Sequence, residues 1–87
     1  MVISKSRTTD GLVSNGGRFW GFSVVGTAGD SVLFNDGSAT GSILGGCKLT
    51  AEKTSETVFF AQGVSAPAGV WVEVVSGTPT IVVYFSN

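Results

Sequence analysis

The runs Val70-Trp71-Val72-Glu73-Val74-Val75 and Thr80-Ile81-Val82-Val83-Tyr84-Phe85, separated by Ser76-Gly77-Thr78-Pro79, constrain this chain more than anything else in it. β-Branched and aromatic residues in stretches of this length suit a pleated surface, and the Gly/Pro break reads as a turn. The two runs are therefore expected to be strands paired as antiparallel neighbours. Side chains alternate between the two faces of a strand, so Val70, Val72 and Val74 share one face and Trp71 and Val75 the other. Likewise Ile81, Val83 and Phe85 stand opposite Val82 and Tyr84. A strand that covers a single core has no need of large apolar groups on its reverse, so the second face is expected to be covered by something else.

The same punctuation runs through the chain. Arg18–Val25 reads as a strand with Trp20, Phe22 and Val24 on one face and Phe19, Gly21, Ser23 and Val25 on the other. A short strand over 30–34 sets Val32 and Phe34 against Leu33 and ends at Asn35-Asp36-Gly37, residues that tolerate the left-handed turn conformation. Residues 42–49 form a further strand with Ile43, Cys47 and Leu49 in phase and a bulge or bend at Gly45-Gly46. Residues 56–61 set Val58 and Phe60 against Phe59, and 62–68 read as a connection. Short strands at a spacing of about 8–12 residues, with no helix longer than a turn, imply an all-β fold: a small antiparallel β-sandwich, jelly-roll-like, of six to eight strands. Residues 1–17 are polar apart from Val2-Ile3 and Leu12-Val13, and read as an N-terminal arm and edge segment; residues 18–87 read as the sandwich domain. The arm is either an unstructured terminus or a segment that adds a strand to a neighbour's sheet.

The chemistry available is narrow. The chain has no histidine and one cysteine, Cys47, which removes Ser-His-Asp and Cys-His arrangements, an intrachain disulfide and an ordinary closed zinc site. The carboxylates Asp10, Asp30, Asp36, Glu52, Glu56 and Glu73 lie at turns, beside a polar loop or alone in a strand, a spacing that does not suggest a catalytic pair across a cleft. Asn35-Asp36-Gly37-Ser38 lacks the alternating acidic ligands of a calcium loop. Glu73 reads as a solvent-facing strand charge or as an intersubunit partner for Arg18 or a lysine. Five basic residues, spread along the chain, and a net charge of −1 argue against phosphate-directed nucleic-acid binding. No apolar stretch has the length of a membrane span, and the first residues lack the apolar core of a secretion signal, so a soluble protein is expected. No enzyme activity and no cofactor are expected. Trp20 and Trp71 read as packing groups or, alternatively, as a stacking platform for sugars.

Arg18-Phe19-Trp20-Gly21-Phe22-Ser23-Val24, then Ser31-Val32-Leu33-Phe34-Asn35-Asp36-Gly37-Ser38-Ala39-Thr40-Gly41, then Gly69-Val70-Trp71-Val72-Glu73-Val74 with its Ser-Gly-Thr turn and final Val-Val-Tyr strand, resemble small β-sandwich virion proteins of tailed bacteriophages. The similarity covers roughly residues 10–86, with Trp71 where tyrosine is more usual. The resemblance implies a structural protein assembled in the host cytoplasm and placed on the virion, foremost a capsid decoration (cement) protein that binds the major capsid protein, as a trimer, and stabilises the shell. Val2, Ile3, Leu12 and Val13 would then supply the arm contacts, and Phe59, Trp71, Val75, Val82 and Tyr84 the subunit or shell contacts. A tail, neck or fibre subunit is the alternative within the virion, and a carbohydrate-binding module the alternative outside it.

Overall fold

The computed structural model describes residues 2–86; Met1 and Asn87, the outer ends of the arm and of the sandwich domain, lie outside the described residues. Eight strands form: β1 (Ile3–Arg7), β2 (Gly11–Leu12), β3 (Arg18–Val25), β4 (Ser31–Asp36), β5 (Ile43–Lys48), β6 (Ser55–Ser65), β7 (Val70–Ser76) and β8 (Thr80–Ser86). They make two four-stranded antiparallel sheets, β1-β8-β3-β6 and β2-β7-β4-β5. The pairs β1·β8, β2·β7, β3·β6 and β4·β5 are nested, as in one long hairpin with its tip between β4 and β5. Pairing of β8 with β3 and of β7 with β4 rolls that hairpin into two layers. This is the jelly-roll arrangement, and it leaves the inward faces of both sheets to fill one core.

The inward alternation expected of the terminal runs is realised: Val70, Val72, Ile81, Val83 and Phe85 are buried, as are Val32 and Phe34 of β4. Their pairing is not. β7 and β8 are not neighbours but lie in opposite sheets, and Ser76-Gly77-Thr78-Pro79 is a crossover between layers rather than a hairpin turn. Each run has a fully apolar inner face, and placing one in each layer lets both cover the same core. At the centre, the rings of Phe22 and Phe34 stack at 4.6 Å between centroids, and Phe19 lies 5.2 Å from Phe34 and 5.3 Å from Phe60. Gly45 of β5 leaves room for this cluster, its missing side chain facing Phe60, Phe19 and Phe22.

Strand β3 departs from simple alternation. Against β8 the register runs Phe19↔Phe85 and then Gly21↔Tyr84, so Trp20 is an inserted residue. The bulge reverses the phase, and Phe19 joins Phe22 and Val24 in the core while Trp20 is excluded from it. Gly21 has φ 152°, and a Cβ there would overlap the carbonyl oxygen of Val58 on β6, so only glycine suits the site. β6 also continues past residue 61: Gly21↔Phe59 is followed by Phe19↔Val64, and residues 60–63 stand between the two pairs as a bulge that keeps Phe60 against the core before pairing resumes through Ser65. A similar slip between Phe34↔Gly45 and Asn35↔Ile43 turns Ile43 outward and leaves Leu44 packed against the core, so Ile43 is out of phase with Cys47 and Leu49.

Residues 3–14 are not an arm outside the fold. β1 pairs with β8 from Ile3↔Phe85 to Arg7↔Ile81, and β2 pairs with β7. Val13, expected to contact a partner, is only 6% exposed and belongs to the core, its amide donating to the Val70 carbonyl at 2.8 Å. The segment tolerates polar residues because β1 is an edge strand, exposed along nearly its whole length.

Candidate functional site: two opposed outer sheet faces

The core is complete within one chain, yet Ile43 is 67% exposed, Phe59 63%, Val25 57% and Val75 53%. Cross-strand register assigns these groups to faces, because directly paired residues project to the same side of a sheet. On the outside of β1-β8-β3-β6, one row runs Ser4, Tyr84, Gly21, Phe59 and the next Ser6, Val82, Ser23, Thr57, followed by Thr80, Val25 and Ser55. The Tyr84 and Phe59 rings close over Gly21 at 4.9 Å between centroids, and Ser23 and Thr57 share a hydroxyl hydrogen bond of 2.7 Å. Trp20 lies partly exposed at the bulge, its Nε1 donating to Ser86 Oγ at 2.7 Å.

The outside of β2-β7-β4-β5 differs. Leu12, Trp71, Asn35 and Ile43 form a row across all four strands, flanked by Glu73, Leu33 and Gly46 and then by Ser31 and Lys48. Asn35 is buried beneath its neighbours; its Nδ2 donates to Glu73 Oε1 at 3.1 Å and to the Ala39 carbonyl at 3.4 Å. Glu73 thus has a hydrogen-bond partner within the chain, on the opposite sheet from Arg18. Asn35 Oδ1 and Trp71 Nε1 are buried without a hydrogen-bond partner.

The residues singled out from the sequence therefore divide. Phe59, Val82 and Tyr84 share one outer face, while Leu12, Trp71 and Val75 lie on the other, so the five reverse-face groups make no single surface. Val2 and Ile3 are exposed at the β1 edge. Trp20 and Trp71 belong to different sheets and form no joint platform. Ile43 and Val25, the most exposed aliphatic groups, are additions that the sequence signalled only as strand residues whose phase a bulge or a strand end could change.

The turn carboxylates are engaged in structural bonds: Asp36 Oδ1 accepts from the Ala68 amide at 3.0 Å, Asp10 Oδ1 from the Val74 amide at 2.8 Å, and Asp30 Oδ2 from the Thr27 amide at 3.0 Å. Among the described residues no group of three His, Cys, Asp or Glu is placed to hold a metal ion, and no pocket opens in the surface. Cys47 points inward from β5, near the Glu56 carboxylate, which Lys53 Nζ meets at 2.7 Å. Burial, and then the Glu56 charge, push the thiol pKa up to about 11. Alkylation of native Cys47 at pH 8 is expected to be about 100-fold slower than in the unfolded chain, as the thiolate fraction falls tenfold per pKa unit. Because the folded-state pKa is raised, the stability this thiol contributes is present below pH 9.0 and lost as pH rises towards about 11, which urea titrations across that window will register.

No known protein family, characterised protein or solved structure matches the chain.

Proposed function

We propose that this chain is a non-enzymatic structural protein of a tailed-phage virion, a decoration protein that binds the major capsid protein on the head surface and stabilises the shell. The observation that carries the reading is the pair of opposed sheet faces, each bearing exposed large apolar groups that the finished core does not require. Exposed apolar groups clustered on a face mark contact surfaces. A small sandwich with two such faces suits a position between a shell and its neighbours, and the resemblance to phage virion β-sandwiches points to the same setting. The Leu12-Trp71-Ile43 row, flanked by Glu73 and Lys48, is the shell-binding side in this reading. Repetition over a symmetric shell turns modest contacts into large collective stabilisation.

The test is co-sedimentation of the purified protein with phage heads stripped of small surface proteins. Ile43→Lys and Trp71→Ala are expected to reduce head binding at least tenfold, about 1.4 kcal/mol. Thermal unfolding of Ile43→Lys should stay within a few degrees of the parent, since its side chain lies outside the core. Binding unchanged in both variants overturns the assignment of this face.

A further inference from the structure

We propose that Asn15-Gly16 is a site of covalent self-modification, at which the Asn15 amide is converted through a cyclic imide to aspartate and isoaspartate. The inference concerns a turn at the end of the sandwich and does not rest on head binding.

The chemistry is set by the residue that follows the asparagine. The Gly16 backbone nitrogen attacks Cγ of Asn15 and gives up its proton. The bond from Cγ to the side-chain nitrogen breaks, and that nitrogen takes the proton and leaves as ammonia. Water then adds to either carbonyl of the imide and returns a proton to the ring nitrogen, leaving aspartate or isoaspartate. A side chain on the second residue crowds the attack, so glycine is the most permissive neighbour.

Three pairs of this kind occur, Asp10-Gly11, Asn15-Gly16 and Asp36-Gly37, and the fold ties down two of them. Asp36 Oδ1 accepts from the Ala68 amide at 3.0 Å while the Gly37 nitrogen donates to the Gly69 carbonyl at 2.9 Å, so both reacting groups are engaged. Asp10 Oδ1 accepts from the Val74 amide at 2.8 Å, and Gly11 is paired with Val72. Asn35, the other asparagine among the described residues, is buried with its Nδ2 bonded to Glu73 and Ala39, and the Asp36 amide that follows it donates to the Ser42 carbonyl at 2.8 Å. Asn15 differs on each count. It is exposed in a bend, and among the described residues neither its side chain nor the Gly16 amide has a hydrogen-bond partner.

The fold also demands the glycine. Gly16 has φ 141°, a Cβ there would lie 3.2 Å from the Pro67 carbonyl oxygen, and Gly17 follows with φ 103°. The backbone that makes this turn therefore excludes the side chains that would shield Asn15 from attack. On either side the turn is anchored, by the Val70 amide donating to Ser14 Oγ at 3.1 Å and by the Ala66 amide donating to the Gly17 carbonyl at 2.9 Å. Ring closure between these anchors has no hydrogen bond to break, whereas at Asp36 the segment must first open. Conversion makes the net charge of −1 one unit more negative, and isoaspartate adds a methylene to the connection that carries the chain from one sheet to the other.

Native protein is held in warm, mildly alkaline buffer made with heavy-oxygen water and then cleaved after Arg7 and Arg18, and the peptide 8–18 is analysed by mass spectrometry. Fragmentation separates position 15 from Asp10 and isoaspartate from aspartate. The expected result is solvent oxygen and both acids at position 15, formed within about tenfold of the rate in the guanidinium-unfolded chain, with Asn35 and Asp36 slowed ~100-fold or more by the fold. Asn15→Gln, whose longer side chain requires a larger ring, should give neither product and keep the parent's thermal midpoint. An Asn15 that stays intact in the native protein while converting in the unfolded chain overturns the proposal. So does aspartate formed without isoaspartate, which marks direct hydrolysis, and so does native conversion at Asp36 as fast as at Asn15.

Discussion

Phe34→Ala should lower the thermal midpoint by more than about 10 °C, the largest drop expected of any single side-chain truncation in this chain. The ring is fully buried, 4.6 Å from Phe22 and 5.2 Å from Phe19, and joins β4 of one sheet to β3 of the other. Removing a buried phenylalanine costs about 3–5 kcal/mol, the transfer free energy plus the cavity left behind. A domain of this length has a total stability on the order of 4–13 kcal/mol, so the truncation removes a large share of it. Collapse around the gap is restricted because the neighbouring rings come from two separate sheets whose spacing is held by the rest of the sandwich. Circular dichroism melts compared with Val25→Ala, an exposed aliphatic on the same scaffold, provide the check. Equal midpoints for the two variants would mean that the aromatic stack does not hold the layers together.

Deleting residues 2–14 should abolish cooperative unfolding. An arm that served only a neighbour could be removed without changing the melt of the remainder. Here the deletion strips β1 from the β8 edge along five register pairs and removes β2, Val13 and Ser14 from the β7 edge. The Val70 amide loses Ser14 Oγ at 3.1 Å, and the Val74 amide loses Asp10 Oδ1 at 2.8 Å. With a net value of about 1 kcal/mol for each hydrogen bond, the loss reaches on the order of 5 kcal/mol before the loss of Val13 from the core and the exposure of Phe85 are considered. Two bare strand edges beside apolar inner faces also favour aggregation. A truncated chain that melts cooperatively near the parent midpoint would restore the view of this segment as an arm. The result also governs how head binding is interpreted, because a deletion that unfolds the chain says nothing of where it docks.

The features legible in the sequence are those that depend on near neighbours along the chain. Gly37 and the turns around it follow from local conformational freedom, and the inward faces of β4, β7 and β8 follow from strict alternation, which needs no knowledge of the partner strand. The all-β class and the short-strand rhythm follow in the same way. The phase of β3 was not legible, since the bulge at Trp20 adds one residue without any change of composition and moves Phe19 to the other side of the sheet. Val13 resembled an exposed arm residue because the segment around it is polar, and its burial comes from β7, far away in sequence.

The sequence by itself determined that six to eight short segments would form strands and that some would carry apolar groups on both sides. Only the tertiary structure decided which strands share a sheet, and hence that Phe59, Val82 and Tyr84 face one way and Leu12, Trp71 and Val75 the other. Alternation is a property of each strand taken singly, whereas sheet membership is set by how the nested hairpin rolls to close one core, and that closure depends on contacts distant along the chain.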